Sequence, residues 1–400
     1  MNPTLQKPKH FFTLDIVRGI GALIVVIHHW QHFYYTGNKL PIPFDWGQLP
    51  FYSLLSFVYI NGYLAVDIFF TMSGFIFFWL YADRVASRKV SGGVFFFTRF
   101  SRLYPMHILS LVLVIVLQYR VLKTTGEYFI YTNNDIQHLL LNIFLINSWG
   151  FEKGPSFNGP VWTVSVEVMM YIIFFCLCYW KRNRSWLVLT LLIVAGFVIQ
   201  PVNSMIGRGM SEFFIGGIVY YIYRYIISRE DYRKMFRRVV MLTCLSAVLV
   251  VVGFKLGPLL LSRMNMTVQT SQGAGKSISY ILTNMFARIF AGPLLVLSLV
   301  LYDTIYKRDS HRLHAFGNSS YACYLLHFPL QLMFLVVADA LGYSREVFRS
   351  PVMLILFLVI ICPLSIAAYY YFELPAQQTL RNWLLRKGKY TKPVPVDNPV

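Results

Sequence analysis

Acidic residues are scarce in this chain: 17 Asp and Glu stand against 36 Lys and Arg in 400 residues. Charged residues of both signs make up only 13%, too few to clothe the surface of an ordinary soluble protein. Cysteine is sparse too. The five cysteines (Cys176, Cys178, Cys244, Cys323, Cys362) all fall inside apolar runs. That excludes a disulfide framework and a thiolate metal site, and leaves buried thiols. A cleavable signal peptide is not evident, because the first apolar run is too long and no small-residue cleavage site follows it. Internal repeats, low-complexity tracts and a second soluble domain are likewise missing.

What is abundant is apolar: 56% of residues are hydrophobic and 17% aromatic, with a mean hydropathy of +0.54. This composition predicts an all-α polytopic membrane protein. In a soluble protein the net charge of +19 would suggest nucleic acid. Here the basic residues are confined to short loops between apolar spans, so the partner is the bilayer and nucleic acid is excluded.

Ten spans are predicted, near 14–34, 52–81, 103–121, 161–180, 186–200, 209–228, 239–256, 281–303, 318–340 and 351–373. A further apolar piece, 136–149, is too short to cross a hydrocarbon core of about 30 Å and is expected to be interfacial or re-entrant. With both termini cytoplasmic, the inner segments hold 23 Lys and Arg and the outer segments 10. The positive-inside rule thus favours an even number of spans and placement in a plasma (bacterial inner) membrane. Residues 1–380 form the membrane domain. The tail 381–400 is basic and then Pro-rich, and is expected to be disordered.

Two local patterns mislead. Gly273-Ala274-Gly275-Lys276-Ser277 looks like the end of a phosphate loop, but Thr270 stands at the first Gly position and no strand precedes it. Asn265-Met266-Thr267 is a glycosylation sequon only in a eukaryotic secretory pathway.

Ionisable groups at membrane depth are costly, so each needs a partner or a task. Arg18 and His29 share the first span with ten residues between them. On a helix they lie near one face, about 16 Å apart along the axis. Asp67, in the second span, either neutralises a cation or holds His29 in one tautomer; Ser73-Gly74 beyond it suits close helix packing. Arg99 and Arg102 are three apart, a fork for phosphate or ordinary positive-inside anchors. Glu167 follows Pro160 and Trp162 by about one and a half turns, at a depth similar to that of His29, where the two suit a proton-handling pair. Ser165 reads as a hydrogen-bonding residue, and His327, beside Phe328-Pro329, as a satisfied structural histidine. Glu212, Arg288 and Glu373 complete the set, Glu373 being placed to orient an arginine.

Taken in order, these segments resemble the membrane acyltransferase-3 family. The resemblance runs from Asp15-Ile16-Val17-Arg18 to Glu373-Leu374-Pro375. It rests on Arg18-x10-His29, on Asp67 with Phe69-Phe70 and Ser73-Gly74-Phe75, and on Arg99-x-x-Arg102 with Pro105. Trp162, Ser165 and Glu167 continue it, followed by Arg208 with Glu212, Phe213 and Gly216, and by Ser320-Tyr321 with Tyr324 and His327. One departure is Val168, where a second Glu often follows Glu167.

The resemblance implies a ten-helix enzyme that passes an acyl group, usually acetyl, from cytoplasmic acyl-CoA to a hydroxyl on the far face, often of a surface or secreted glycan. Arg18, Arg99 and Arg102 would hold the CoA phosphates, and no metal is implied. His29 would act as general base or transient acyl carrier, oriented by Glu167 or Asp67. Outer aromatics (Tyr34, Tyr35, Trp46, Tyr128, Tyr131, Trp149) suit sugar rings and membrane interfaces alike. The alternative from another class is a proton-coupled transporter using Asp67, His29 and Glu167 as a relay, which the lack of repeats disfavours.

Overall fold

The computed structural model describes residues 8, 10–35, 40–41, 44–262, 267–268, 276–306 and 311–386. Lys7, Lys9, Asn265-Met266, Gly273 to Gly275 and the Pro-rich tail lie outside the described residues. Apart from a two-residue antiparallel pairing of Thr267–Val268 with Lys276–Ser277, the regular structure is helical.

The chain begins with α1 (Phe12–His28), which tightens into a 3₁₀ turn over His29–Tyr34. The second predicted span is broken. It consists of α2 (Tyr52–Asn61) and α3 (Leu64–Phe77), prolonged by a π-helical turn Phe78–Ala82 and the short α4 (Asp83–Ala86). The break falls at Gly62, where a Cβ would lie 2.6 Å from His28 Cβ, so the end of α1 can lie directly against the chain. Next come α5 (Gly92–Thr125), α6 (Ile136–Ile143), α7 (Trp162–Tyr179), α8 (Trp186–Ile199), α9 (Ser204–Ser228) and α10 (Tyr232–Ser262). Then follow α11 (Ile278–Phe286), a π-helical turn Ala287–Ala291, α12 (Gly292–Tyr306), α13 (His311–Asn318), α14 (Ser320–Ala340) and α15 (Pro351–Ala368). A last π-helical turn, Tyr369–Glu373, leads into α16 (Leu374–Arg386).

Each of the ten predicted spans falls on helix. Eight of the described helical stretches are long and apolar enough to cross a membrane; α8 is shorter, and α9, with Arg208 and Glu212 in it, is not among them. The short α6 starts at Asp135, whose carboxylate accepts from the His138 backbone N–H at 2.8 Å. Its eight residues rise about 12 Å, far short of a crossing. At the other end the helix α16 runs on to Arg386, so residues 381–386 are helical.

The fold centres on α3, which crosses α9 at van der Waals contact of the two backbones. A Cβ on Gly74 would stand 1.9 Å from Phe213 O, and one on Gly216 would stand 2.1 Å from Thr71 O. Glycines at both crossing points let the helices approach with no side chain between them. This expected role of the Ser73-Gly74 pair is therefore observed, and it brings α3 and α7 together, because Ser73 reaches across to Glu167.

Candidate active site

The polar residues at membrane depth form three separate clusters. The first surrounds a cavity of about 140 Å³. Arg18 from α1, Arg99 and Arg102 from α5, Glu167 and Tyr171 from α7, and Tyr321 and Tyr324 from α14 line it. Arg18 is held by Asp15, which accepts from its guanidinium and also pairs with His10. Arg99 is almost wholly buried. Its guanidinium donates to Tyr81 Oη at 2.7 Å and lies 4.7 Å and 4.9 Å from the Phe77 and Tyr81 ring centres. Arg102 stands within electrostatic reach of Arg18, Arg99 and Glu373. The Nε atoms of Arg18 and Arg99 are buried without a hydrogen-bond partner. Three guanidiniums around one small cavity repel one another, and an anion there relieves the strain. The arginine pair on α5 thus shares its cavity with Arg18, 81 residues before Arg99.

Glu167 belongs to this cluster. Its Oε1 accepts from Ser73 Oγ at 2.5 Å. That differs from the sequence expectation, which paired it with His29.

The second cluster lies at the far end of α1. His29 Nδ1 is 2.8 Å from His327 Nε2, and His327 Nδ1 is 2.5 Å from the carbonyl of Tyr324. A carbonyl only accepts, so His327 carries its proton on Nδ1 and presents Nε2 as an acceptor. His29 must then donate from Nδ1, which leaves its Nε2 with a free lone pair. The half-buried His29 thus holds an imidazole in the tautomer a general base requires. His32 stacks on it with ring centroids 4.5 Å apart, and His28 turns away to bond Tyr59 O at 2.7 Å. Pro329, lacking an N–H, frees the Leu325 carbonyl, which accepts from Asn158 Nδ2 at 3.0 Å. Among the described residues no group of three or more His, Cys, Asp or Glu is arranged to hold a metal ion.

The third cluster is an ion-pair network. Asp67 Oδ1 accepts from Arg208 Nε at 2.9 Å and lies 3.7 Å from Arg288 Nε, while Glu212 Oε1 is 2.7 Å from Arg288 Nη2. Of the two alternatives for Asp67, the structure places it on cations and not on His29. Neither carboxylate expected to orient His29 is bonded to it; a second histidine is. Sequence reasoning passed over His327 as a partner because 298 positions separate the two rings and no local spacing joins them.

Tyr324 lines the arginine cavity, and its ring centroid is 5.8 Å from that of His327. The arginine cavity and the histidine pair thus both adjoin Tyr324, inside an apolar helical bundle.

The acyltransferase domain family model matches residues 11–373, and the chain belongs to this membrane acyltransferase-3 family. Among curated proteins, it is 34% identical over 108 residues to Protein 2 in picA locus of Rhizobium radiobacter, covering 27% of this chain and 46% of that one. It is 29% identical over 118 residues to Acyltransferase MdmB of Streptomyces mycarofaciens, covering 28% of this chain and 27% of the relative. The chain thus spans less than half the length of either relative. No solved structure matches it.

Proposed function

We propose that this protein takes an acyl group, in the first instance acetyl, from cytoplasmic acyl-CoA and passes it to a hydroxyl on the opposite side of a bacterial inner membrane, with both termini cytoplasmic. The observation that carries this reading is the convergence of Arg18, Arg99 and Arg102 on one cavity that reaches Tyr324 beside the His327–His29 pair. The arginines hold the CoA phosphates, and the thioester arm extends along the cavity toward the histidines. His29 Nε2 takes the proton of the acceptor hydroxyl as its oxygen attacks the thioester carbonyl. The C–S bond then breaks, and the CoA sulfur leaves with that proton. His327 accepts from His29 Nδ1 throughout and stabilises the imidazolium that forms. Glu167 orders Ser73 on the cavity wall, and Asp67 neutralises Arg208 and Arg288.

For the acceptor we favour a glycan. Tyr35 and Tyr131 flank His32 with ring centroids 5.2 Å and 6.3 Å away, beside His29, where they suit the faces of sugar rings. Calorimetric titration of the purified protein with CoA tests the donor side. The wild type is expected to bind, and Arg99→Ala with Arg102→Ala to weaken binding by about tenfold per lost charge-assisted contact. An unchanged affinity would remove the arginines from the donor site. No CoA binding at all would favour the transporter.

A further inference from the structure

Beside the arginine cavity lies a second, larger one of about 430 Å³, walled by α1, α2, α3, α10 and the segment around Arg288. Its lining is apolar, with few exceptions such as Asn61, Asp67 and Arg288. Ile20 and Val251 line it and are 49% and 42% exposed, and the chamber is half open rather than sealed.

Phe69 is the apolar side chain on α3 that lines both spaces. Its ring is seated on α1 at Gly21, where a Cβ would come within 2.6 Å of Phe69 Cε1. On the other side it meets Tyr324 edge-on, with centroids 6.5 Å apart. Tyr324 marks the end of the donor cavity nearest the histidines, so the partition stands where the proposed reaction places the acyl group. The donor space of about 140 Å³ leaves little room for an acyl chain beyond the thioester arm. The space behind Phe69 is about three times larger, apolar and half open, which is the surrounding an aliphatic tail prefers.

We infer that Phe69 sets the acyl length: its ring closes the donor cavity to anything longer than a short acyl group, and the chamber behind it is a latent site for the aliphatic tail of a longer one. The inference rests on the acyl-CoA reading above.

The test is thiol release from acetyl-CoA and octanoyl-CoA by the wild type, Phe69→Ala, the milder Phe69→Leu and the double variant Phe69→Ala/Ile24→Trp. Ile24 lines the chamber one turn beyond Gly21, so a tryptophan there refills the opened space. The wild type is expected to use acetyl-CoA and largely refuse octanoyl-CoA. The ratio of kcat/KM for octanoyl over acetyl should rise about tenfold or more in Phe69→Ala, less in Phe69→Leu, and fall back in the double variant. Acetyl turnover with an unchanged ratio in both single variants overturns the inference while leaving the acyl-CoA reading intact, as does a wild type that already turns over octanoyl-CoA equally well. Absence of turnover with either donor in every protein contradicts the acyl-CoA reading and takes this inference with it.

Discussion

His29 is oriented by a neighbour that accepts from its Nδ1 and donates its own proton to a backbone carbonyl. Because the Tyr324 carbonyl pins the His327 proton to Nδ1, the lone pair on His29 is forced onto Nε2. Replacing His29 by Ala should lower acyl-transfer kcat by about 10²- to 10⁴-fold, the range of a lost general base. His327→Gln retains an acceptor for His29 Nδ1 and should keep much more activity than His327→Leu, with the difference in kcat and not in the KM for acyl-CoA. Equal losses in the two variants would mean that His327 only fills space. The spacing of Arg18 and His29 was legible from ten intervening residues and a helical period. The partner of His29 was not, since contact across two helices leaves no trace in either local pattern. Glu167 and Asp67 were legible as carboxylates at membrane depth that need partners. Which cation or hydroxyl each would take depends on helix rotation, and apolar periodicity defines that poorly in a helix buried on most sides.

Among the helices, the crossing of α3 and α9 is the tightest joint. Gly74→Ala or Gly216→Ala inserts a methyl group within about 2 Å of a facing carbonyl oxygen, so the helices must separate. Each should destabilise by about 1–3 kcal/mol, the usual cost of overpacking, seen as a lowered Tm in detergent. The joint is reinforced by Asp67 on α3 meeting Arg208 on α9 and Arg288 in the π-helical turn before α12. Asp67→Asn leaves the half-buried Arg208 without a carboxylate partner, while Arg288 keeps Glu212, and should lower the Tm. Thermal unfolding checks this: a Tm in Asp67→Asn equal to wild type would argue against a structural role and return Asp67 to the reaction. The existence of the helices was readable from length and hydropathy, and the shortness of α6 likewise. The break of the second span at Gly62 was not, and the close approach of His28 from α1 to that glycine leaves no mark in the local pattern.

At the scale of the whole molecule, the bundle holds Arg18 and His29 about 16 Å apart along one helix, and the proposed function has donor and acceptor approach from opposite faces. The charge asymmetry of the loops predicts which face is which: Arg233 and Arg237 inside, Arg345 and Arg349 outside. Arg233→Cys in right-side-out vesicles should resist a membrane-impermeant maleimide, and Tyr343→Cys should react with it. The reverse pattern would invert the donor and acceptor faces.

The most direct measurement is release of free CoA thiol from acetyl-CoA by the purified protein, run beside His29→Ala and Arg99→Ala/Arg102→Ala. The account predicts turnover in the wild type, its loss in His29→Ala with CoA still bound, and a raised KM in the double arginine variant. Thiol release that survives His29→Ala at the wild-type rate would contradict it.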